Sequence, residues 1–347
     1  MPTRVIVRAA CDFLLAGLAE GVRNYGSLRR AVFMTAIVVA NVQHITRSAV
    51  RTWRYAGLDE IPPDSERRPI SILSLSQSLR KPFETTRAHV NALVDEGLCI
   101  KTAKGVIVPS EVLLSEKIAA SDTVLWEAFW AMIAKLRSLD YNFSAVLGDT
   151  SLASELVVEA QFKASEPSQP PRRLVSRIMS EFYLNAIVEA TAPHREDWVI
   201  STVSTAIMSH NSAAWSLKAD EAWRYDRADT PPPDHLRTPA TIADVVRLTG
   251  LGKELVRRKI IDLITAGRVV RAPGGLLINM DYMQGPESRA GGAAIVTAFY
   301  RMIYDLSALG VDLSAQPDGR SSIDRVFEVV GIPLRHAGLT GGRPRRG

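Results

Sequence analysis

The 347-residue sequence predicts a mainly α-helical protein with small β elements (α+β), arranged as two tandem duplicated halves. Three observations carry this. Residues 239–279 read as helix, turn, helix and hairpin; residues 69–109 read the same way; and the two stretches align without a gap at an offset of 170 residues. Ile72 matches Ile242, Glu84 matches Glu254, Arg87 matches Arg257, Leu93 matches Leu263, Gly97 matches Gly267 and Gly105 matches Gly275.

The correspondence extends beyond these stretches. Asn41 recurs as Asn211, Trp53-Arg54-Tyr55 as Trp223-Arg224-Tyr225, and Pro62, Pro63, Asp64 and Arg67 as Pro232, Pro233, Asp234 and Arg237. Phe129, Met132, Ile133, Leu136 and Leu139 recur as Phe299, Met302, Ile303, Leu306 and Leu309. So many matches at one offset predict a first half over 1–160 and a second over 174–334. The polar, proline-rich run around Ser165–Arg173 places a linker at 161–173, and a glycine-rich basic tail occupies 335–347.

Taken in order, residues 5–24 read as a first helix with Val7, Phe13, Leu14 and Leu18 toward a core. Gly26-Ser27 ends it. A second, nearly all-apolar helix is expected from about 28 to 52, closed by Trp53-Arg54-Tyr55. After the first repeated stretch, Ser121 or Asp122 is the expected cap of a long helix reaching Leu139, and Leu152–Val158 is a candidate for one more. In the second stretch Thr241 is the expected N-cap, with Ile242, Val245 and Val246 on one face. Thr249-Gly250-Leu251-Gly252 makes the turn. Val256, Ile260, Leu263 and Ile264 share the buried side of the next helix, which Gly267 stops. Val269-Val270 and Leu276–Ile278 form strands about the Pro273-Gly274-Gly275 turn.

The net charge of +5 is unevenly placed. Residues 66–109 hold seven Lys/Arg against four Asp/Glu, and residues 236–279 hold eight against three, so the rest of the chain is net negative. The positive charge concentrates in the repeated stretches, as the footprint of a nucleic-acid-binding surface would. Cys11 and Cys99 make neither a disulfide framework nor a metal-ligand set, and are expected buried and reduced. The apolar run over 31–40 is too short to span a bilayer, and Asp12 interrupts the N-terminal one. A cytoplasmic location with no membrane partner is expected.

Helix, turn, basic helix and hairpin in that order resembles a winged helix-turn-helix DNA-binding module. Each half, read as helix, helix, winged module and long helix, is similar to a subunit of the MarR-type transcription regulators, although this hairpin turns in fewer residues than is usual there. The resemblance implies terminal helices that dimerise and winged modules side by side on double-stranded DNA. It therefore implies a transcriptional regulator acting as a monomeric pseudo-dimer, with a small-molecule effector as a possible further partner.

On that reading Glu84, Thr85, Arg87, Ala88 and Asn91 in the first module, and Glu254, Arg257, Arg258 and Asp262 in the second, face base edges. Arginine suits guanine and asparagine suits adenine. Lys81 and Lys253, near the helix starts, are placed for phosphates, and Lys101, Lys104, Arg268 and Arg271 lie on the wings. A solvated cationic face is the plain alternative. Gly341–Gly347, with Arg343 and Arg345 about Pro344, resembles an AT-hook and equally reads as a generic basic tail. Trp53, Tyr55, Trp126 and Trp130 are either core or the walls of an effector pocket. Asp64/Arg67 and Asp234/Arg237 are an ion pair, a cap or a phosphate contact.

No cofactor and no enzyme activity are expected. Gly250-Leu-Gly-Lys253 lacks the spacing of a phosphate-binding loop, and the six histidines lack metal-ligand spacing. Two other functions remain open: a plasmid- or phage-type replication initiator, and a scaffold whose winged modules bind proteins.

Overall fold

The computed structural model describes residues 4–143, 146, 156, 171–192, 197–216, 218–227 and 230–314. The tail with Arg343 and Arg345, most of the linker and all but Leu156 of the candidate helix over 152–158 lie outside these residues. The first part of the chain forms α1 (Arg4–Tyr25), α2 (Leu28–Thr46), α3 (Ala49–Arg54), α4 (Ile72–Ser78), α5 (Phe83–Asp95), an antiparallel hairpin of β1 (Ile100–Thr102) and β2 (Gly105–Ile107), α6 (Ser110–Leu113) and α7 (Glu116–Ser138). The later part forms α8 (Arg172–Thr191), α9 (Trp198–Ser212), α10 (Ala219–Arg224), α11 (Ile242–Thr249), α12 (Lys253–Thr265), a hairpin of β3 (Val269–Ala272) and β4 (Gly275–Ile278), α13 (Met280–Gln284) and α14 (Pro286–Ala308). The chain is thus mainly helical with two small two-stranded antiparallel sheets. Among the described residues no helix is long and apolar enough to cross a membrane.

Three expected boundaries shift. The helix from 28 stops at Thr46, because Ser48 takes an extended conformation and its hydroxyl accepts from Arg51 N–H to start α3. Ser121 and Asp122 cap nothing. They are buried inside α7, which begins at Glu116, and their hydroxyl and carboxylate bond to Glu20 and Arg173 instead. Helix α8 begins at Arg172, inside the stretch expected to be linker.

The long helices share one core. Phe13 of α1 stacks on Phe182 of α8 at 5.5 Å between ring centroids, and also meets Phe129 of α7 at 6.0 Å. Phe182 in turn meets Phe299 of α14 edge-on at 6.5 Å. Phe129, Phe182 and Phe299 are fully buried, so this aromatic cluster joins early and late segments of the chain across a water-free contact. Gly17 allows the approach of α1 to α8, since a Cβ there would lie 2.4 Å from the Tyr183 ring. Helix α1 packs on α2 and α7, and also on α9, α11 and α14 from the later part.

Polar bonds recur at matched positions. Asn41 Nδ2 donates to Arg68 O (2.9 Å) and Val106 O (3.1 Å), while its Oδ1 accepts from Val108 N–H (2.9 Å). Asn211 repeats this with Thr238 O (2.8 Å), Leu276 O (2.9 Å) and Ile278 N–H (2.9 Å). Each asparagine stands in for a neighbouring strand and fastens a hairpin to the helical layer. Further bonds cross between the early and late parts. Trp53 Nε1 donates to Leu309 O at 2.8 Å, and Trp223 Nε1 to Leu139 O at 2.8 Å. Arg4 N–H donates to Asp226 O at 2.9 Å, and Leu174 N–H to Ala56 O at 3.4 Å.

Replacing Asn211 with alanine would leave the buried Ile278 N–H and the Thr238 carbonyl without their partner, while Leu276 O would keep only its bond from Ala240 N–H. The expected cost is about 2–4 kcal/mol in urea unfolding, with the loss of protection concentrated in residues 269–278 by hydrogen exchange. A cost below ~0.5 kcal/mol would show that the asparagine does not anchor the hairpin.

Candidate nucleic-acid interface

Each repeated stretch forms helix, turn, helix and hairpin, and the local reasons can be read residue by residue. Thr241 and Asp244 close a capping box at the start of α11: the Thr241 hydroxyl accepts from Asp244 N–H, and the Asp244 carboxylate accepts from Thr241 N–H at 3.0 Å. Gly250 then ends the helix with φ +67°, a left-handed conformation natural to glycine. Arg80 makes the same turn in the first unit at φ +51° and is held there by two 2.8 Å bonds to Glu189. Helices α5 and α12 bury Thr86, Val90 and Leu93, and Val256, Ile260 and Leu263, respectively. Each hairpin folds back at a glycine with no room for a side chain: a Cβ would lie 2.3 Å from Ile70 O at Gly105 and 2.5 Å from Ala240 O at Gly275.

The opposite faces of α5 and α12 are exposed. Thr85 and Arg87 on α5, and Lys253, Arg257 and Arg258 on α12, are open to solvent, while Asn91 is half-buried. Arg87 Nε bonds Glu84 at 3.0 Å, and Arg257 Nε lies 3.3 Å from Glu254. Exposed pairs of this kind contribute only about 0–1 kcal/mol, so each guanidinium is oriented along its helix yet free to exchange partners. Lys101, Lys104 and Arg271 are exposed on the hairpins. In the second unit a groove of about 450 Å³ separates α12 from the hairpin, with Arg257 on one wall and Arg271 on the other. Ile261, 47 % exposed, adds an apolar surface to that groove.

Two of the candidate cations are engaged within the protein. The Lys81 ammonium lies 4.3 Å from the centre of the Trp198 ring, and burial lowers its pKa. Arg268 lies over Tyr282 at 5.0 Å and bonds Glu287 at 3.2 Å. Sequence spacing alone placed both outward. The aromatic partners come from segments distant in sequence or beyond the hairpin, which helical periodicity does not see. Asp197 was not a sequence candidate, yet it ties the region together: it lies 3.5 Å from Lys259 of α12 and 3.4 Å from Arg29 of α2, beside Trp198.

The remaining candidates have structural roles. Arg67 and Arg237 are buried and pair with Asp64 (3.4 Å) and Asp234 (2.7 Å), and Arg237 also donates to Ile278 O. Trp126 and Trp130 pack edge-on at 5.6 Å in the core. Cys11 and Cys99 are buried and free, and burial pushes both thiols up to about 12. Among the described residues no group of three or more His, Cys, Asp and Glu is arranged to hold a metal ion. No protein-family model matches the chain, and no curated protein or solved structure does.

The first helices of the two units are capped by different groups. Burial pushes the Asp244 carboxyl upward, but bonds from the Thr241 hydroxyl and N–H, then from Arg247, together with the charge of His210, outweigh it and hold the group at about 2. A depressed folded-state value means that this carboxylate stabilises α11 above its ordinary 3.8, and that the contribution is lost as pH falls toward about 2. Ser74 occupies the matching position in α4, where two hydroxyls share the cap at 2.8 Å. Hydrogen exchange over an acid series is therefore expected to show protection of residues 242–249 falling ahead of 72–78. In Asp244→Asn that difference should no longer change with pH.

Proposed function

We propose that the chain is a duplicated, sequence-specific double-stranded DNA-binding protein, in which two winged helix-turn-helix units act as an intramolecular pseudo-dimer to regulate transcription. The observation that carries this reading is the groove of the second unit, which Arg257 of α12 and Arg271 of the hairpin both line. A helix bearing exposed Lys253, Arg257 and Arg258 on its N-terminal turns matches what the major groove admits, and a cationic hairpin beside it suits phosphates. The duplication is supported by the asparagine clamps and by the crossed indole bonds. Trp53 with Leu309 and Trp223 with Leu139 are one contact made twice, the mark of an isologous interface.

The units differ in character. In the first, Leu73, Phe83 and Ile100 are exposed, against Ile261 and Val270 in the second, and α5 presents Arg87 alone where α12 presents Lys253, Arg257 and Arg258. The second unit is therefore assigned as the dominant DNA reader and the first as the weaker one. The apolar surface of the first also favours a second reading, in which that unit holds a protein partner while the second binds DNA.

The test is selection of binding sites from random duplexes by the full-length protein across a salt series. Arg257→Ala combined with Arg258→Ala is expected to weaken binding to the enriched site by about 10–1,000-fold, and Arg87→Ala by less. Arg271→Ala should weaken all duplexes alike and reduce the salt slope by about one. Weak binding with no enriched site, unchanged in these variants, would refute the proposal.

A further inference from the structure

A half-open cavity of about 380 Å³ lies under the second unit, lined by α1, α9, α13, the start of α14 and the end of β4. Its walls are largely apolar, with Val7, Met208, Met283 and Ile295 among them. Two buried donors interrupt this surface. Arg8 and Trp215 are each 4 % exposed and line the cavity, and neither Arg8 Nη2 nor Trp215 Nε1 has a hydrogen-bond partner among the described residues. A buried donor without an acceptor carries a desolvation cost that a bound acceptor would remove. The charge balance points the same way. Arg8 (3.0 Å) and Lys135 (3.6 Å) share the single carboxylate of Asp12, so this corner is net positive.

The cavity belongs to one unit only. Ala190, Gly291 and Gly292 form part of its wall. The residues 170 positions earlier are Glu20, Ser121 and Asp122. They are filled with bonds: Ser121 Oγ donates to Glu20 at 2.9 Å, and Asp122 pairs with Arg173 at 2.5 Å and accepts from Ser176 at 3.0 Å. The counterparts of Arg8 and Trp215 are Ile178 and Ile45, which offer no side-chain donor. The space and both donors therefore occur together where α1 meets the second unit, and all are replaced at the equivalent place where α8 meets the first.

We infer that this cavity is a binding site for one monoanionic, amphipathic small molecule, of the class of aromatic or branched-chain carboxylic acids. The carboxylate meets Arg8, Trp215 supplies the second donor, and the apolar body fills the space between α1, α9 and α14. Asn211, which fastens the second hairpin, also lines the cavity, so an occupant touches the residue that seats the hairpin. The site does not rest on the DNA reading, and it takes one ligand per chain.

The test titrates the DNA-free, full-length protein with 2-naphthoate, followed by calorimetry and naphthalene fluorescence. Saturable binding of a single equivalent is expected, with 2-naphthylmethanol weaker by about tenfold for want of the charge. A Cβ at Gly292 would have only Val7 within 4 Å, so Gly292→Leu should fill the cavity without disturbing α14 and abolish binding. Trp215→Phe keeps an aromatic ring but removes the donor, and should weaken naphthoate by about tenfold while circular dichroism shows the fold retained. No saturable binding, two equal sites, equal affinity for the alcohol, or binding unaltered in both variants would overturn the assignment. Because DNA is absent, these outcomes are independent of whether the winged units bind it.

Discussion

The arrangement rests on a shared core. Helices α1 and α8 carry too much apolar surface to be covered by their sequence neighbours alone, and each buries the remainder against elements from the other part of the chain. The Phe13–Phe182 stack and the Gly17–Tyr183 approach fix that contact, because aromatic rings packed at this density leave no room for sliding. The crossed indole bonds of Trp53 and Trp223 then pin the ends of α7 and α14. The consequence for function is geometric. The exposed faces of α5 and α12 are attached to one body, so their separation is set by packing and not by a flexible tether.

Charge is handled differently at the core and at the surface. Inside, Arg8, Asp12, Lys135, Ser209 and Ser212 form a polar network joining α1, α7 and α9. Burial lowers the Lys135 ammonium to about 8, although Asp12 opposes the shift. Such a network contributes little net stability but penalises every packing that leaves its members unpaired, which favours one register of α1. At the surface the arginines of α5 and α12 are held only by exposed glutamates one turn away, an arrangement that a phosphate or a base edge can displace at small cost.

Much of the local structure was legible in the sequence. Thr241, Gly250, Gly267 and the Pro273–Gly275 turn mark their boundaries because capping and left-handed backbone depend on the residue itself and its near neighbours. The buried face of α12 follows from spacing alone. Most of what escaped depends on residues far apart in the chain. The burial of Ser121 and Asp122 and the docking of Lys81 on Trp198 are decided by tertiary neighbours, whereas the break at Ser48 is a local cap hidden within an apolar run. Asn41 and Asn211 fall between: recurrence of a polar residue at the end of an apolar helix flagged them, but their partners on the hairpin strands became visible only with the fold. Of the two readings open for the aromatics, Trp126 and Trp130 take the core one, and none of Trp53, Tyr55, Trp126 and Trp130 lines the cavity beside Gly291-Gly292.

The central claim is that one chain presents two DNA-reading units as a fixed pair. Its most direct test is the mass of the complex formed by the full-length protein on its selected duplex, measured together with the footprint. The account predicts one chain per duplex protecting two half-sites related by an approximate two-fold axis. Two chains on a two-half-site duplex, or one chain protecting a single half-site with the first unit dispensable, would contradict it.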